Sequence, residues 1–225
     1  MSHRAIAIDG PSGAGKSTLA KAISKELGFL YVDTGAIYRT VGLAALRQGF
    51  SPADESAVLA LLPSLVITTG YGTDGLQHMY LNREDVTEAI RQHAVSDAAS
   101  QVSAIPGVRA YLLDMQRRFA QENDVVMDGR DIGTVVLPDA QVKIFLTADP
   151  ADRARRRYEE LLARGQEANL ATILADVEAR DYRDSHRAAA PLTQAPDAVR
   201  LDTTGLPFEE SRKRLLTLVK EKLSL

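Results

Sequence analysis

Residues 10–18 read GPSGAGKST and directly follow the apolar run AIAID. They fit the pattern G-x-x-x-x-G-K-[ST], with Gly10, Gly15, Lys16 and Ser17 at its fixed positions. Glycines let backbone amides face a phosphate, the lysine ammonium can reach the outer phosphates, and the serine hydroxyl can ligate Mg²⁺. A glycine turn with a surface lysine is the simpler alternative, but the flanking strand and helix patterns favour a phosphate-binding loop.

A second polar cluster lies in YVDTGAIYRT, residues 31–40, after the next predicted strand. Asp33, Thr34, Tyr38 and Arg39 would then stand at the carboxyl edge of a parallel sheet, where open α/β folds bind ligands. Arg39, placed in the first turn of the following helix, would oppose the helix dipole, so we expect it to have an anionic partner. Helix capping by Asp33 or Thr34 alone is the alternative interpretation.

A third cluster, DGRDIGTVV at residues 128–136, also follows an apolar run. It places Asp128, Arg130 and Asp131 at a second carboxyl edge of the predicted sheet. Asp128 could organise Mg²⁺ directly or through water. A turn-forming aspartate explains the Asp-Gly dipeptide equally well.

Arginines crowd the C-terminal third of the chain, and they occur in two groups. The members are Arg153, Arg155, Arg156 and Arg157, then Arg180, Arg183 and Arg187 in EARDYRDSHR. If residues 169–187 form a helix, Arg180, Asp184 and Arg187 share one face, and ion pairs with Asp184 would account for that face as well as a ligand does. Guanidinium groups stabilise charge on a transferring phosphoryl group, so we interpret this region as a lid over a phosphate site.

Five apolar runs, separated by helical periodicity, predict an α/β fold with a central parallel sheet. They are AIAID (5–9), FLYVD (29–33), DVVMD (124–128), VKIFL (142–146) and AVRLD (198–202). Ser51 before Pro52 predicts an N-cap and a short helix through about Leu62. The segment 65–81, LVITTGYGTDGLQHMYL, predicts an inserted β-hairpin, because its G-x-G-x-x-G sequence is followed by β-prone residues rather than the helix that a dinucleotide site requires.

Composition excludes several classes of protein. The chain has 225 residues, a formal net charge of -3 and no cysteine, which is typical of a soluble domain without disulfides or thiol chemistry and argues against a nucleic-acid coat. No run approaches the roughly 18 apolar residues of a membrane span, so we expect a cytoplasmic protein.

The motifs of other nucleotide-binding proteins do not fit this sequence. The base-reading N-K-x-D of GTPases is absent, and the only D-x-x-G, DTTG at 202–205, follows the last predicted strand. The four histidines show no metal-ligand spacing. A small-molecule kinase fits best.

Six segments together resemble the bacterial-type cytidylate kinase family, whose members phosphorylate CMP and dCMP. They are GPSGAGKST, YVDTGAIYRTV, ASQVSAIPGVR, DGRDIGTVVLPDA, VKIFLTAD and RDYRDSHRAAAPL, in the family's order. The resemblance implies a three-layer P-loop NTPase-type fold with a five-stranded parallel sheet. It also implies a single domain over 1–225, with a hairpin-containing monophosphate-binding insert at about 34–104 and an arginine-rich helical lid at about 151–190.

The resemblance also implies a role for each matching residue. ATP would contact Gly10, Pro11, Ser12, Gly13, Ala14, Gly15, Lys16, Ser17 and Thr18, with Arg156 from the lid. CMP would contact Thr34, Tyr38, Arg39, Ser100, Arg109, Arg130, Asp131, Arg180, Asp184 and Arg187. Lys16, Arg130, Arg156 and Arg187 would be catalytic, and Ser17 and Asp128 would hold Mg²⁺, the latter directly or through water. Many relatives have serine where Thr34 stands, and either residue supplies a hydroxyl.

The cytosine edge offers an amino donor and two acceptors, so Asp131 would accept from N4 and a guanidinium would donate to N3 and O2. Uracil places O4 against the same carboxylate, which would lead to its rejection. A kinase acting on UMP or on a shikimate-like alcohol, and a regulatory nucleotide switch without an acceptor, stay open as alternatives. We expect ATP and CMP or dCMP as the only partners, no nucleic acid or membrane, and a monomer.

Overall fold

The structure is a computed structural model that describes residues 3–73 and 75–224. The chain divides into two compact units. One is built on Leu30–Val125, and the other on Arg4–Phe29 together with the chain from Val126 onward. Among the described residues, no helix has the length and apolar character needed to span a membrane.

Five strands form one sheet in the order β2-β6-β1-β7-β8, which confirms the predicted five-stranded parallel sheet. They are β1 (Ala5–Asp9), β2 (Leu30–Asp33), β6 (Val125–Gly129), β7 (Val142–Thr147) and β8 (Val199–Asp202). In the register of β1 with β7, Ile6 lies opposite Val142 and Asp9 opposite Phe145. All five residues of β1 and all five of β6 are buried, as expected for strands with helices on both faces of a sheet.

Among its described residues, the second unit carries four α-helices: α1 (Lys16–Leu27), α6 (Pro150–Ala163), α7 (Leu170–His186) and α8 (Phe208–Leu223). Helix α1 ends at Gly28, whose left-handed φ of 69° caps it, and its residues Leu19 and Ile23 are buried. Helices α6 and α7 pack against each other, and both lie within the segment 151–190 that was predicted as a helical lid, apart from the first residue of α6. Helix α7 has nearly the bounds that the arginine-rich pattern predicts.

The first unit carries α2 (Thr34–Arg47), α3 (Glu55–Leu61), α4 (His93–Val102) and α5 (Pro106–Glu122) around one apolar core. The predicted hairpin is confirmed, because β3 (Ile67–Tyr71) and β4 (Gln77–Leu81) pair antiparallel and β5 (Glu84–Asp85) extends the sheet. The glycine-rich sequence therefore serves a turn and opens no helix; position 74, inside that turn, lies outside the described residues.

The predicted capping of α3 is wrong. Ser51 lies in a turn in which its carbonyl oxygen accepts from the Asp54 amide at 2.9 Å. The helix instead begins at Glu55, and the Asp54 side chain accepts from the Ala57 amide at 3.1 Å. Ser and Asp are both favourable N-cap residues, and in this chain Asp54, three residues after Ser51, is the residue that caps the helix.

Candidate active site

The phosphate loop joins β1 to α1 in a conformation that requires glycine at specific positions. Gly10 has a φ of 150°, and a Cβ at this position would lie 1.9 Å from the Leu146 carbonyl oxygen. Gly15, with a φ of 88°, is the N-cap of α1 and adds no side-chain acceptor there. The first turn of α1 contains no acidic residue. The positive end of the helix dipole and the amides of the loop therefore form a site suited to phosphate oxygens.

Lys16 is buried at the start of α1, where its Nζ donates to the Pro11 carbonyl oxygen at 2.7 Å. Burial, followed by the positive charge of Arg130, lowers the pKa of Lys16 to about 7, against the opposing effect of Asp128, Asp184 and Asp9. The ammonium thus lies within electrostatic reach of residues from the DGRDIGT segment and from α7. This arrangement brings the lysine of the phosphate-loop motif close to residues that are predicted to hold the acceptor.

Ser17 and Asp128 meet beside the loop, and the Ser17 Oγ donates to Asp128 Oδ2 at 2.8 Å. A hydroxyl and a carboxylate at this distance suit Mg²⁺, which takes only one or two protein oxygens and completes its octahedron with phosphate and water. No group of three or more His, Cys, Asp or Glu side chains able to hold a metal occurs among the described residues. The donor set fits a magnesium ion bound together with nucleotide phosphates.

Two arginine–aspartate pairs connect the DGRDIGT segment with α7 and with the residue that directly follows it. Arg130 Nε donates to Asp184 Oδ2 at 2.8 Å, and Arg187 Nη2 lies 3.6 Å from Asp131 Oδ1. Burial pushes the pKa of Asp184 upward, but Arg130, by charge and hydrogen bond, and the charges of Arg180 and Arg187 hold it below its ordinary value. The sequence placed these five residues in one site, and the structure brings them together.

The first group of arginines is less uniform than the sequence suggested. Arg153 is 2% exposed, so it is not a lid cation aimed at phosphate. Its guanidinium donates to the carbonyl oxygens of Ala148 (2.8 Å) and Ser12 (2.9 Å) and to both carboxylate oxygens of Asp181. Arg153 thereby ties a phosphate-loop carbonyl to α7.

Arg156 and Arg155 both pair with Asp152 one turn earlier on α6. The Arg156 Nη2 lies 2.6 Å from Asp152 Oδ2 and donates to the Thr203 carbonyl oxygen at 2.7 Å. A Cβ on Gly15 would lie 3.9 Å from Arg156 Nη1. The Arg156 side chain, which is predicted to contact ATP, is therefore held beside the start of α1.

In the first unit, Asp33 organises the start of α2. Its side chain accepts from the Ala36 amide at 2.9 Å and from Arg39 Nη2 at 2.7 Å. Arg39 lies in the second turn of α2, so the argument from the helix dipole was wrong, although its anionic partner exists as Asp33. The buried Gln77 of β4 accepts from the Asp33 amide at 2.7 Å. The hairpin thus fixes the residue that holds Arg39.

The remaining predicted acceptor residues of this unit lie on α2, α4 and α5. The Arg109 guanidinium lies 5.5 Å from the centre of the Tyr38 ring and donates to the Ser103 carbonyl oxygen at 3.2 Å. The Ser103 hydroxyl in turn donates to the carbonyl oxygen of Ser100, one helical turn earlier, at 3.0 Å. Helices α2 and α4 come close at Gly42, where a Cβ would lie 3.0 Å from Ala98 Cβ.

Sequence reasoning missed three polar side chains that organise these sites. Asp9 accepts from two amides of the DGRDIGT segment, Gln77 holds Asp33, and Asp181 pairs with Arg153. Only Asp9 carried a signal, as a charged residue that ends a fully apolar strand next to the phosphate loop. Gln77 and Asp181 look like ordinary polar residues of a strand and a helix.

The cytidylate kinase family model matches residues 6–221. The chain is 48% identical over 217 residues to a cytidylate kinase of Streptococcus agalactiae serotype Ia, covering 96% of this chain and 94% of the relative. It is 50% identical over 205 residues to one of Streptococcus pneumoniae, covering 91% and 92%. It is 46% identical over 224 residues to one of Leuconostoc mesenteroides, covering both chains completely.

Among solved structures, shikimate kinase from Bacteroides thetaiotaomicron aligns with a TM-score of 0.51 at 17% identity, over 99% of each chain. An uncharacterised protein from Eubacterium ventriosum aligns with a TM-score of 0.55 at 12% identity, over 98% of this chain and 99% of the other. At such identities the likeness extends to the fold alone. The family follows from the sequence comparisons together with the phosphate loop and the arginine pairs around it: the chain belongs to the cytidylate kinase family.

Proposed function

We propose that the protein transfers the γ-phosphoryl group of ATP to CMP or dCMP, giving ADP and CDP or dCDP, as a step of pyrimidine nucleotide metabolism. One observation carries the proposal beyond family membership. The phosphate-loop lysine, Lys16, lies within electrostatic reach of Arg130 and Asp184, the paired residues of the predicted acceptor site. This proximity supports the binding of a donor phosphate and an acceptor phosphate side by side in the second unit.

The phosphate loop would hold the donor. Its amides and the N-terminus of α1 bind phosphate oxygens, Lys16 neutralises the outer phosphates, and Arg156 approaches from α6. Ser17 and Asp128 would hold Mg²⁺, and this ion, when bound, neutralises charge on the β- and γ-phosphates. These residues align the donor and bury its charge before transfer.

Asp131 would read the base, since its carboxylate accepts from the N4 amino group of cytosine. Uracil presents O4 at that place, so two acceptors would face each other in a buried site. Arg187 lies 3.6 Å from Asp131 and restrains this carboxylate from one side. Discrimination against UMP follows from the unsatisfied pair rather than from size.

Arg130, Arg180 and Arg187 would bind the acceptor phosphate and ribose together with Asp184. The CMP phosphate is already an anionic nucleophile, so no general base is required. Positioning of this phosphate in line with the donor and spreading of negative charge over guanidinium groups supply the rate. In the first unit, Thr34, Tyr38, Arg39, Ser100 and Arg109 would complete the acceptor contacts, with Arg39 at the phosphate.

We further propose a cytoplasmic monomer whose only small-molecule partners are these nucleotides. We also retain one P-loop kinase domain with an insert at about 34–104 and a lid at about 151–190, on the pattern of the family. Size-exclusion chromatography with light scattering measures the mass, for which a single 24.4 kDa chain is expected. A stable dimer would contradict the monomer.

The test of the activity is a coupled assay of ADP formation with Mg²⁺ and ATP over a panel of acceptors. CMP and dCMP should give the largest kcat/KM, UMP a much lower one, and shikimate only the background rate. Asp131→Asn should lower the preference for CMP over UMP more than it weakens ATP binding. A fastest rate with UMP or shikimate, or no ADP formation with CMP, would refute the assignment.

A further inference from the structure

Asp9 makes a contact with the DGRDIGT segment that the activity described above does not use. It ends β1, directly before Gly10, and its two carboxylate oxygens accept from the amides of Ile132 (2.7 Å) and Gly133 (2.7 Å). These amides open a single π-helical turn, Ile132–Val136, which begins immediately after Asp131. The partners are 123 and 124 positions apart, so the contact spans the unit.

The first amides of any helical turn lack partners within the turn, and the residue before it normally caps them. Asp131 stands at that capping position, and aspartate is one of the best residues for capping its own helix. Here its side chain makes no capping hydrogen bond to the turn, according to the part of the chain that the structure describes, and lies instead near Arg187. The residue that caps the turn is instead Asp9, which lies at the end of β1.

The contact is buried and closely packed. Asp9 is 5% exposed, and a Cβ on Gly133 would lie 3.3 Å from Asp9 Oδ2 and 3.2 Å from Lys143 Cδ. The negative charge of Asp131 acts unfavourably on the charged form of Asp9, and the positive charge of Lys16 acts favourably on it. Two carboxylates are therefore held near each other, Asp9 by two backbone amides and Asp131 beside Arg187. Asp9 cannot move from this place without loss of buried hydrogen bonds.

We propose that Asp9 is a positioning residue for base selection: it caps the π-helical turn so that the Asp131 carboxylate is directed to the nucleotide base and not to its own turn. The inference rests on the proposed base-reading role of Asp131. The capping contact of Asp9 joins the strand that precedes the phosphate loop to the segment that contains Asp131, the residue proposed to recognise the acceptor.

Removal of one acceptor tests the role of this cap. In Asp9→Asn the carboxamide keeps one oxygen and presents an NH₂ group to the second amide, so one amide at the start of the turn lacks its acceptor. The Asp131 carboxylate is then the nearest alternative cap, and it turns away from the base. We expect the ratio of kcat/KM for CMP to kcat/KM for UMP to fall about tenfold or more. The ratio cancels the fraction of active enzyme and any effect on ATP.

The experiment measures this ratio in wild type, Asp9→Asn, Asp131→Asn and the double variant, with Asp152→Asn as control. Asp152 is also a buried carboxylate, but it pairs with Arg155 and Arg156 of its own helix, so the control should keep the wild-type ratio. If Asp9 acts through Asp131, the double variant has the ratio of Asp131→Asn alone. Asp9→Ser, which also lacks the second acceptor oxygen, replaces Asp9→Asn if the latter does not fold.

The outcomes separate the two claims. A lowered ratio in both single variants, without a further decrease in the double variant, supports the inference. A lowered ratio in Asp131→Asn with a wild-type ratio in the Asp9 variants overturns the positioning role and leaves base reading intact. Independent, additive effects also overturn it. An unchanged ratio in Asp131→Asn refutes base reading itself and, with it, the inference.

Discussion

Asp181→Ala leaves the buried guanidinium of Arg153 without its carboxylate partner. Arg153 is 2% exposed, whereas the Asp181 side chain is 26% exposed. Removal of one member of a buried ion pair costs about 3–5 kcal/mol, because the other charge stays buried. Arg153 keeps its bonds to the carbonyl oxygens of Ala148 and Ser12, and Asp181 is partly solvated, so we expect the lower end, about 3 kcal/mol.

The assay is urea unfolding followed by circular dichroism, with thermal unfolding in parallel. For a chain of this size, about 3 kcal/mol corresponds to a decrease in Tm of about 6–12 °C. Activity should also decrease, since Asp181 holds α7, which carries Arg180 and Asp184 and is directly followed by Arg187. Replacement of both partners by apolar residues, Arg153→Met with Asp181→Leu, should recover part of the lost stability, because no buried charge is left unpaired.

The matched control is Glu210→Ala in α8, which removes another arginine–carboxylate pair whose partners, Glu210 and Arg214, are 42% and 51% exposed. Exposed pairs contribute about 0–1 kcal/mol, so this variant should unfold close to wild type. Equal losses in Asp181→Ala and Glu210→Ala would show that Arg153 is not a structural arginine.

Three further predictions concern the metal, a buried carboxylate and the hairpin. Asp128→Asn should raise the Mg²⁺ concentration for half-maximal rate about tenfold, because a neutral amide is a weaker ligand, and a magnesium titration with an unchanged midpoint would contradict this. Burial raises the pKa of Asp9 from 3.8 to about 6, so the folded state binds the proton more tightly. Relative to Asp9→Asn, the free energy of unfolding should therefore fall by about 3 kcal/mol as pH rises through that window, and a parallel pH dependence of the two proteins in urea titrations would refute the shift. Gln77→Leu removes the acceptor of the Asp33 amide and should raise KM for CMP with little change in KM for ATP; equal increases of both KM values would contradict the role of the hairpin.

The sheet and the phosphate loop could be predicted from sequence because their signals are local. Each strand is a short apolar run, and β1 has the bounds that AIAID predicts. The loop is defined by residues at fixed spacing, between a strand and a helix. The hairpin was also predictable, since β-prone residues follow its last glycine where a dinucleotide site would need a helix.

The partners of the buried charges could not be predicted in the same way. Arg130 pairs with Asp184 across 54 positions, and Arg153 with Asp181 across 28, while neighbouring arginines such as Arg155 stay on their own helix. A run of arginines has the same appearance in sequence whichever of them is buried. The π-helical turn and its cap from Asp9 likewise depend on which strands become neighbours.

The sequence also leaves choices between equivalent local signals. Ser51 and Asp54 are both good caps, and only the folded chain shows that Asp54 begins α3. Arg39 was expected in a first turn, and the start of α2 at Thr34 places it one turn later, within reach of Asp33. Errors of a few residues at helix ends therefore change the physical argument for a side chain even when its site is correct.

Transfer of the labelled γ-phosphoryl group of ATP to CMP, followed by separation of the nucleotides, follows the transferred group itself. The label should appear in CDP in amounts equal to the ADP formed, and Lys16→Ala should abolish this transfer. Release of the label as inorganic phosphate at a rate that CMP does not change would contradict it, and would indicate a nucleotide switch without an acceptor.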